Sequence, residues 1–165
     1  MSGGVIVGVD WQTVAAVSHV FAAVTALVVG AVVLRLPKGV GPHRLAGSVY
    51  VVCLVTVDLA ALSVHREARF GVFHALAVLS LLTIIAGVSP LLLGRRSPAA
   101  VYTHAYCMTW SYAGLVAAGC GQLAVTFMSG FGPWMVPTVI GTVLAISGLL
   151  IFRKVPRIVE LLTAG

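Results

Sequence analysis

The segment VAAVSHVFAAVTALVVGAVVLRLPKGVGPHR, residues 14–44, decides the fold. Its first 21 residues, Val14–Leu34, are apolar apart from Ser18, His19 and Thr25. Its last ten gather Arg35, Lys38, His43 and Arg44 among two prolines and two glycines. About 20 residues rising ~1.5 Å each cross the hydrocarbon of a bilayer, so residues 14–34 predict a transmembrane helix closed by a basic loop. The stretch ahead of it, MSGGVIVGVDWQ, has no basic residue, which argues against a cleaved signal peptide.

Four more runs repeat the pattern: Leu45–Val64, Gly71–Leu93, Tyr102–Met128 and Trp134–Phe152. Punctuation separates them, as His65-Arg-Glu-Ala-Arg69, Gly94-Arg-Arg-Ser-Pro98 and Ser129-Gly-Phe-Gly-Pro133. Pro90 and Pro137 lie inside runs, which membrane helices tolerate. The chain is 60% hydrophobic and only 8% charged, against about 25% charged in soluble domains. It cannot cover a water-facing surface. The expected fold is all-α: a polytopic membrane bundle over residues 1–165, with an up-down four-helix core and a fifth C-terminal transmembrane helix.

The net charge of +6 does not indicate a nucleic-acid partner, because the basic residues sit between apolar runs and form no stripe. They read as topology signals. With the first and third connections and the C-terminus in the cytoplasm, the inside holds Arg35, Lys38, Arg44, Arg95, Arg96, Arg153, Lys154 and Arg157. Only Arg66 and Arg69 remain outside. This predicts a multi-pass protein of a bacterial cytoplasmic membrane, N-terminus outside and C-terminus inside, with Trp11 and Trp134 as outer interfacial anchors. Cys53, Cys107 and Cys120 lie within apolar runs and read as small apolar side chains.

Polar side chains at membrane depth are costly, so they are where chemistry is sought. Each of the first four runs carries one histidine near an end, and the depth alternates. His19 and His74 fall on the outer side, whereas His43 and His104 open their runs from the inner side. The intervals are 24, 31 and 30 residues. In an up-down bundle alternate helices are diagonal neighbours, and inward imidazoles across a diagonal can ligate haem iron from both faces. His65 reads as an outer-loop residue. Arg44 is placed to meet haem propionates, with Lys38, Arg95 and Arg96 near the same surface, although retention of loops in the cytoplasm already accounts for these charges. Asp58 can orient an outer histidine, act as an alternative ligand, relay a proton or bond a neighbouring hydroxyl. Small residues around His19 (Ala15, Ala16, Ala22, Ala23, Ala26) and Gly47 beyond His43 make room for a bulky group or for close helix packing. Tyr50, Tyr106, Trp110, Tyr112 and Gln122 are pocket candidates that packing also explains.

His19 in the first run, Leu-Pro-Lys-Gly-Val-Gly-Pro-His43-Arg44-Leu-Ala-Gly47, Phe73-His74 and Thr103-His104-Ala-Tyr-Cys-Met108 together resemble the bacterial membrane family called domain of unknown function 2306. The likeness covers residues 14–128 and implies a multi-span membrane protein with no established activity. The arrangement is also similar in architecture to cytochrome b561, which implies an outer haem on His19 and His74 and an inner haem on His43 and His104. The resulting expectation is a b-type electron carrier with two bis-histidine haem sites, exchanging electrons with a quinone or a redox partner protein. Two other classes stay open: a zinc, copper or proton transporter or sensor using the same histidines and Asp58, and a non-enzymatic subunit of a homo-oligomer or larger complex. No P-loop, HExxH or nucleophile-elbow motif supports hydrolysis.

Overall fold

The structure is a computed structural model that describes residues 11–63, 71–94, 97–127, 130 and 132–163. Among these, five α-helices account for nearly all the chain: α1 (Trp11–Arg35), α2 (Gly41–Ser63), α3 (Val72–Leu92), α4 (Pro98–Phe127) and α5 (Met135–Thr163). The protein is a polytopic membrane helix bundle. Four of the helices, α1, α2, α3 and α5, are long and apolar enough to cross a bilayer. Only the helical backbone satisfies its own polar groups in such surroundings, which is why valine-rich segments of modest helix propensity are helical here.

The helix ends follow the local chemistry. Pro37 bars a helical Leu36, and Gly39 takes a left-handed turn at φ +81°. Lys38 reaches back so that its Nζ donates to the Val33 and Leu34 carbonyls at 2.8 and 3.2 Å, capping α1. Gly94, at φ +70°, ends α3 with its N–H on the Leu91 carbonyl. Ser97 caps α4 by accepting the Ala100 N–H at 3.2 Å, with Pro98 in the first helical position.

Neighbouring helices are antiparallel. α1 packs on α2, α2 on α3, α3 on α4, and α4 closes the ring on α1, while α5 lies along α4. The diagonals are therefore α1/α3 and α2/α4. Ala26, Tyr50, Leu54, Val57, Ile84 and Leu115 fill the centre of the ring. A second cluster, built on Ala113, Ile151, Val155 and Val159, seals α5 to α4. Gly121 of α4 lies against Ile140 of α5, and two glycines set the closest approaches within the ring. Gly30 of α1 lies against the rings of Tyr112 and Tyr50, and Gly87 of α3 lies against Cys107 and Met108. Small residues of this kind let membrane helices meet without a hydrophobic drive between them.

Three features depart from the sequence expectation. Helix α4 is long enough to span but is not among the strongly apolar helices, because Thr103, His104, Tyr106, Thr109, Ser111, Tyr112 and Gln122 dilute it. It is also the helix that touches α1, α3 and α5. Helix α5 continues from Phe152 to Thr163, with Val155 and Val159 buried against α4 while Arg153, Lys154 and Arg157 face outward. Finally, His104 does not open its helix. Helix α4 starts at Pro98, which sets His104 about 9 Å along the axis. His65, Arg66, Arg69, Arg95 and Arg96 lie outside the described residues.

Candidate functional site

Two ends of the bundle need names. The basic end carries Arg35, Lys38 and Arg44 and the Arg153–Arg157 segment of α5. The tryptophan end carries Trp11 and Trp134, both about four-fifths exposed. His43 and His104 belong to the basic end, and His19 and His74 to the tryptophan end.

His104 is the best-defined member. Its Nδ1 lies 2.9 Å from the Gly87 carbonyl oxygen on α3. A carbonyl only accepts, so Nδ1 carries the proton and Nε2 is left as a lone-pair donor. Pro90, three residues on from Gly87, has no N–H and leaves the carbonyl of the residue before Gly87, Ala86, without its helical donor. Glycine at 87 also lets α4 come close enough for the bond, with Cys107 and Met108 packed on the same spot. Hydrogen bonding of one ring nitrogen to a backbone carbonyl is the usual way a ligating histidine is oriented.

His43 lies on the diagonal partner, α2. It is half-buried, its Nδ1 is buried without a hydrogen-bond partner, and its ring sits beside the Val33 carbonyl and Lys38. It is near enough to His104 for the two imidazoles to interact electrostatically. Gly47, one turn further on the same face of α2, has open space in place of a side chain. Arg44 is exposed beside His43. The Lys38 ammonium is committed to the end of α1, and its partial burial lowers its pKa from the ordinary 10.5.

At the tryptophan end, His19 repeats the His104 pattern: its Nδ1 donates to the Val57 carbonyl of α2 at 3.0 Å. His74 differs. Its Nδ1 accepts the Gly71 N–H at 3.3 Å, capping the start of its own helix, which places the neutral ring's proton on Nε2. Asp58 follows Val57 and is 4% exposed. Among the described residues, its Oδ2 has no hydrogen-bond partner, and neither has the Oγ of Ser80, the α3 hydroxyl that faces it.

A hydroxyl relay ties the diagonal together between the two ends. Tyr50 of α2 and Ser111 of α4 share a 3.0 Å hydrogen bond, Ser111 donates to the Met108 carbonyl, and Tyr112 donates to the Leu27 carbonyl of α1. Along the other side of α4, Tyr102 stacks on Tyr106, Tyr106 meets Trp110 edge-on, and Tyr106 and Trp110 both meet Phe152 of α5, so these rings serve the α4–α5 seam. Gln122 is exposed. Among the described residues, no three His, Cys, Asp or Glu side chains converge as a metal site. Gly87 and Ser80 escaped the sequence reading. A lone glycine in an apolar run, three residues before a proline, was the available signal for the first, while Ser80 carried none.

No curated protein and no solved structure matches the chain. The family model described as "Predicted membrane protein (DUF2306)" matches residues 16–158, most of the sequence, and the chain belongs to that family.

Proposed function

We propose that this protein is a b-type haem protein of a bacterial cytoplasmic membrane, carrying electrons within or across the bilayer, with its first haem site at His43 and His104. The observation that carries the proposal is the His104 ring fixed by its bond to the Gly87 carbonyl, which leaves Nε2 as a lone-pair donor, with His43 at the same end of the diagonal helix α2. Haem takes only two axial nitrogens from the protein. A structural zinc takes four ligands and a catalytic one three, more than this pair supplies. Among the described residues, the Nδ1 of His43 is left without a partner, and a β-carbon at Gly47, on the same face of α2, would meet no atom within 4 Å.

When bound, haem supplies a one-electron iron couple. The chain's own part is to fix the His104 ring through Gly87, to present His43 from α2, and to close the centre of the bundle to water with Tyr50, Leu54 and Leu115. Among the described residues, Arg44, exposed beside His43, is placed for propionates, while Lys38 is engaged at the end of α1. The second site, on His19 and His74, starts from one matched ligand. His19 already offers Nε2, whereas His74 must release the Gly71 N–H and move its proton before its ring can ligate. The proposed orientation keeps the N-terminus outside, because the basic residues gather at the other end. A quinone or a redox partner protein is the proposed source or sink of electrons.

The test is a haem titration of the detergent-purified full-length protein, read as a Soret band with sharp reduced α and β bands. His104→Ala and His43→Ala are expected to remove the basic-end haem while His74→Ala spares it. A protein that acquires no low-spin spectrum under haem-supplemented expression or titration overturns the proposal.

A further inference from the structure

Three buried polar atoms lack a hydrogen-bond partner among the described residues: His43 Nδ1, Asp58 Oδ2 and Ser80 Oγ. The first belongs to the proposed haem site. The other two face each other across α2 and α3 in the tryptophan-end half of the bundle, well away from it. We propose that Asp58 and Ser80 form a proton-binding site, in which Asp58 is held at membrane depth as a neutral carboxylic acid that exchanges its proton with water at the tryptophan end.

The occupant follows from the groups on every helix around Asp58. On α1 the nearest titratable side chain is His19, whose Nδ1 proton is committed to the Val57 carbonyl. On α2 it is the Cys53 thiol, about 7.5 Å down the helix axis, with Tyr50 beyond it at about 12 Å and bonded to Ser111. On α3 it is His74, six residues before Ser80 and engaged at the helix start, and on α4 it is Cys120, level with Asp58, with Tyr112 farther down and bonded to the Leu27 carbonyl. Among the described residues, every Lys and Arg belongs to the basic end. A bare carboxylate enclosed by apolar side chains without a cation is among the most costly arrangements in a membrane, whereas the neutral acid is readily housed. Ser80 Oγ, facing it from α3, is the hydroxyl available to the acid, which in its neutral form can donate as well as accept. Hard cations require six or more oxygens, and these two do not form such a set. Asp58 lies five residues from the end of α2 at Ser63, about 7.5 Å, and 17 residues from its start at Gly41, about 25 Å. Exchange is thus expected at the nearer end.

The experiment uses full-length, haem-free protein in phosphatidylcholine vesicles, so its outcome is independent of the haem proposal. Infrared spectra are recorded in H2O and D2O for the unmodified chain and for Asp58→Asn, Asp58→Glu and Ser80→Ala, each checked for helicity by circular dichroism. The expected result is a protonated-acid carbonyl stretch above the amide I band at neutral pH. It shifts down in D2O, vanishes in Asp58→Asn, returns at a new position in Asp58→Glu and moves up in Ser80→Ala. Labelling by dicyclohexylcarbodiimide, which attacks protonated carboxyls in apolar surroundings, is expected on Asp58 by mass spectrometry and gives a second readout should Asp58→Asn fail to fold. A spectrum with no acid band, a band unchanged in Asp58→Asn, a band insensitive to D2O, or an unlabelled Asp58 overturns the proposal.

Discussion

Replacing Gly87 by alanine strikes the packing of α3 on α4 and the orientation of His104 together. A β-carbon at this position would lie 2.9 Å from the Cys107 Cβ and 3.2 Å from the Met108 Sδ. Non-bonded carbons settle at about 3.5–4.0 Å, so the two helices must part by roughly 0.5–1 Å. Met108 can swing aside, but the Cys107 Cβ is fixed to the α4 backbone and cannot. Overpacking of this kind costs about 1–3 kcal/mol. The same displacement stretches the 2.9 Å contact between His104 Nδ1 and the Gly87 carbonyl toward the limit of a hydrogen bond, losing about a further 0.5–1.5 kcal/mol. On the haem proposal there is a second readout. Loss of a group that orients a ligating histidine weakens metal affinity by about 10- to 100-fold, so Gly87→Ala is expected to bind haem more weakly even where it remains folded. Thermal unfolding in detergent, followed by far-ultraviolet circular dichroism, measures the first effect, and haem titration of the same samples measures the second. A variant with an unchanged midpoint refutes the close α3–α4 contact. A destabilised variant with unchanged haem affinity refutes the orienting role of Gly87.

Gly30→Ala places a β-carbon 2.6–2.9 Å from the rings of Tyr112 and Tyr50 and is expected to destabilise by about 1–3 kcal/mol, measured as a lowered unfolding midpoint. Gly47→Leu enters open space, so the fold is expected to persist by circular dichroism while haem binding at the basic end is lost. Partial burial lowers the pKa of Lys38 below 10.5, so the folded chain sheds that proton at lower pH than the unfolded chain. The unfolded state then binds more protons in that window, and stability is expected to rise with pH up to about 10.5. Lys38→Met is expected to flatten that rise in a pH series of unfolding midpoints, while giving up about 0.3–1 kcal/mol of helix capping at neutral pH.

The transmembrane character and the five helices were legible because apolar length and basic punctuation are one-dimensional signals. The ring order was legible as well, since short connections force neighbours to run antiparallel, and that alone places α1 opposite α3 and α2 opposite α4. What the sequence concealed depends on side-chain direction and on carbonyls, which carry no letter of their own. Nothing in the run Ile84-Ile-Ala-Gly-Val-Ser-Pro90 announces that the Gly87 carbonyl receives His104. Likewise, Phe73-His74 gives no sign that the imidazole turns back onto Gly71. Helix boundaries slipped for a similar reason. The α4 start was hidden because Ser97-Pro98 reads as the end of a loop but caps and opens the helix, and the α5 end by basic residues whose intervening valines still pack on α4. Asp58 drew notice as the acid within an apolar run, but its relation to Ser80 required the α2–α3 contact to be seen.

The most direct test of the central claim is the reduced-minus-oxidised difference spectrum of the purified protein, with haem counted per chain, in the unmodified form and in His43→Ala and His104→Ala. A low-spin b-type spectrum that loses one haem per chain in either variant is the predicted result. A chain without such a spectrum, or one whose haem content is unaffected by both substitutions, contradicts the account.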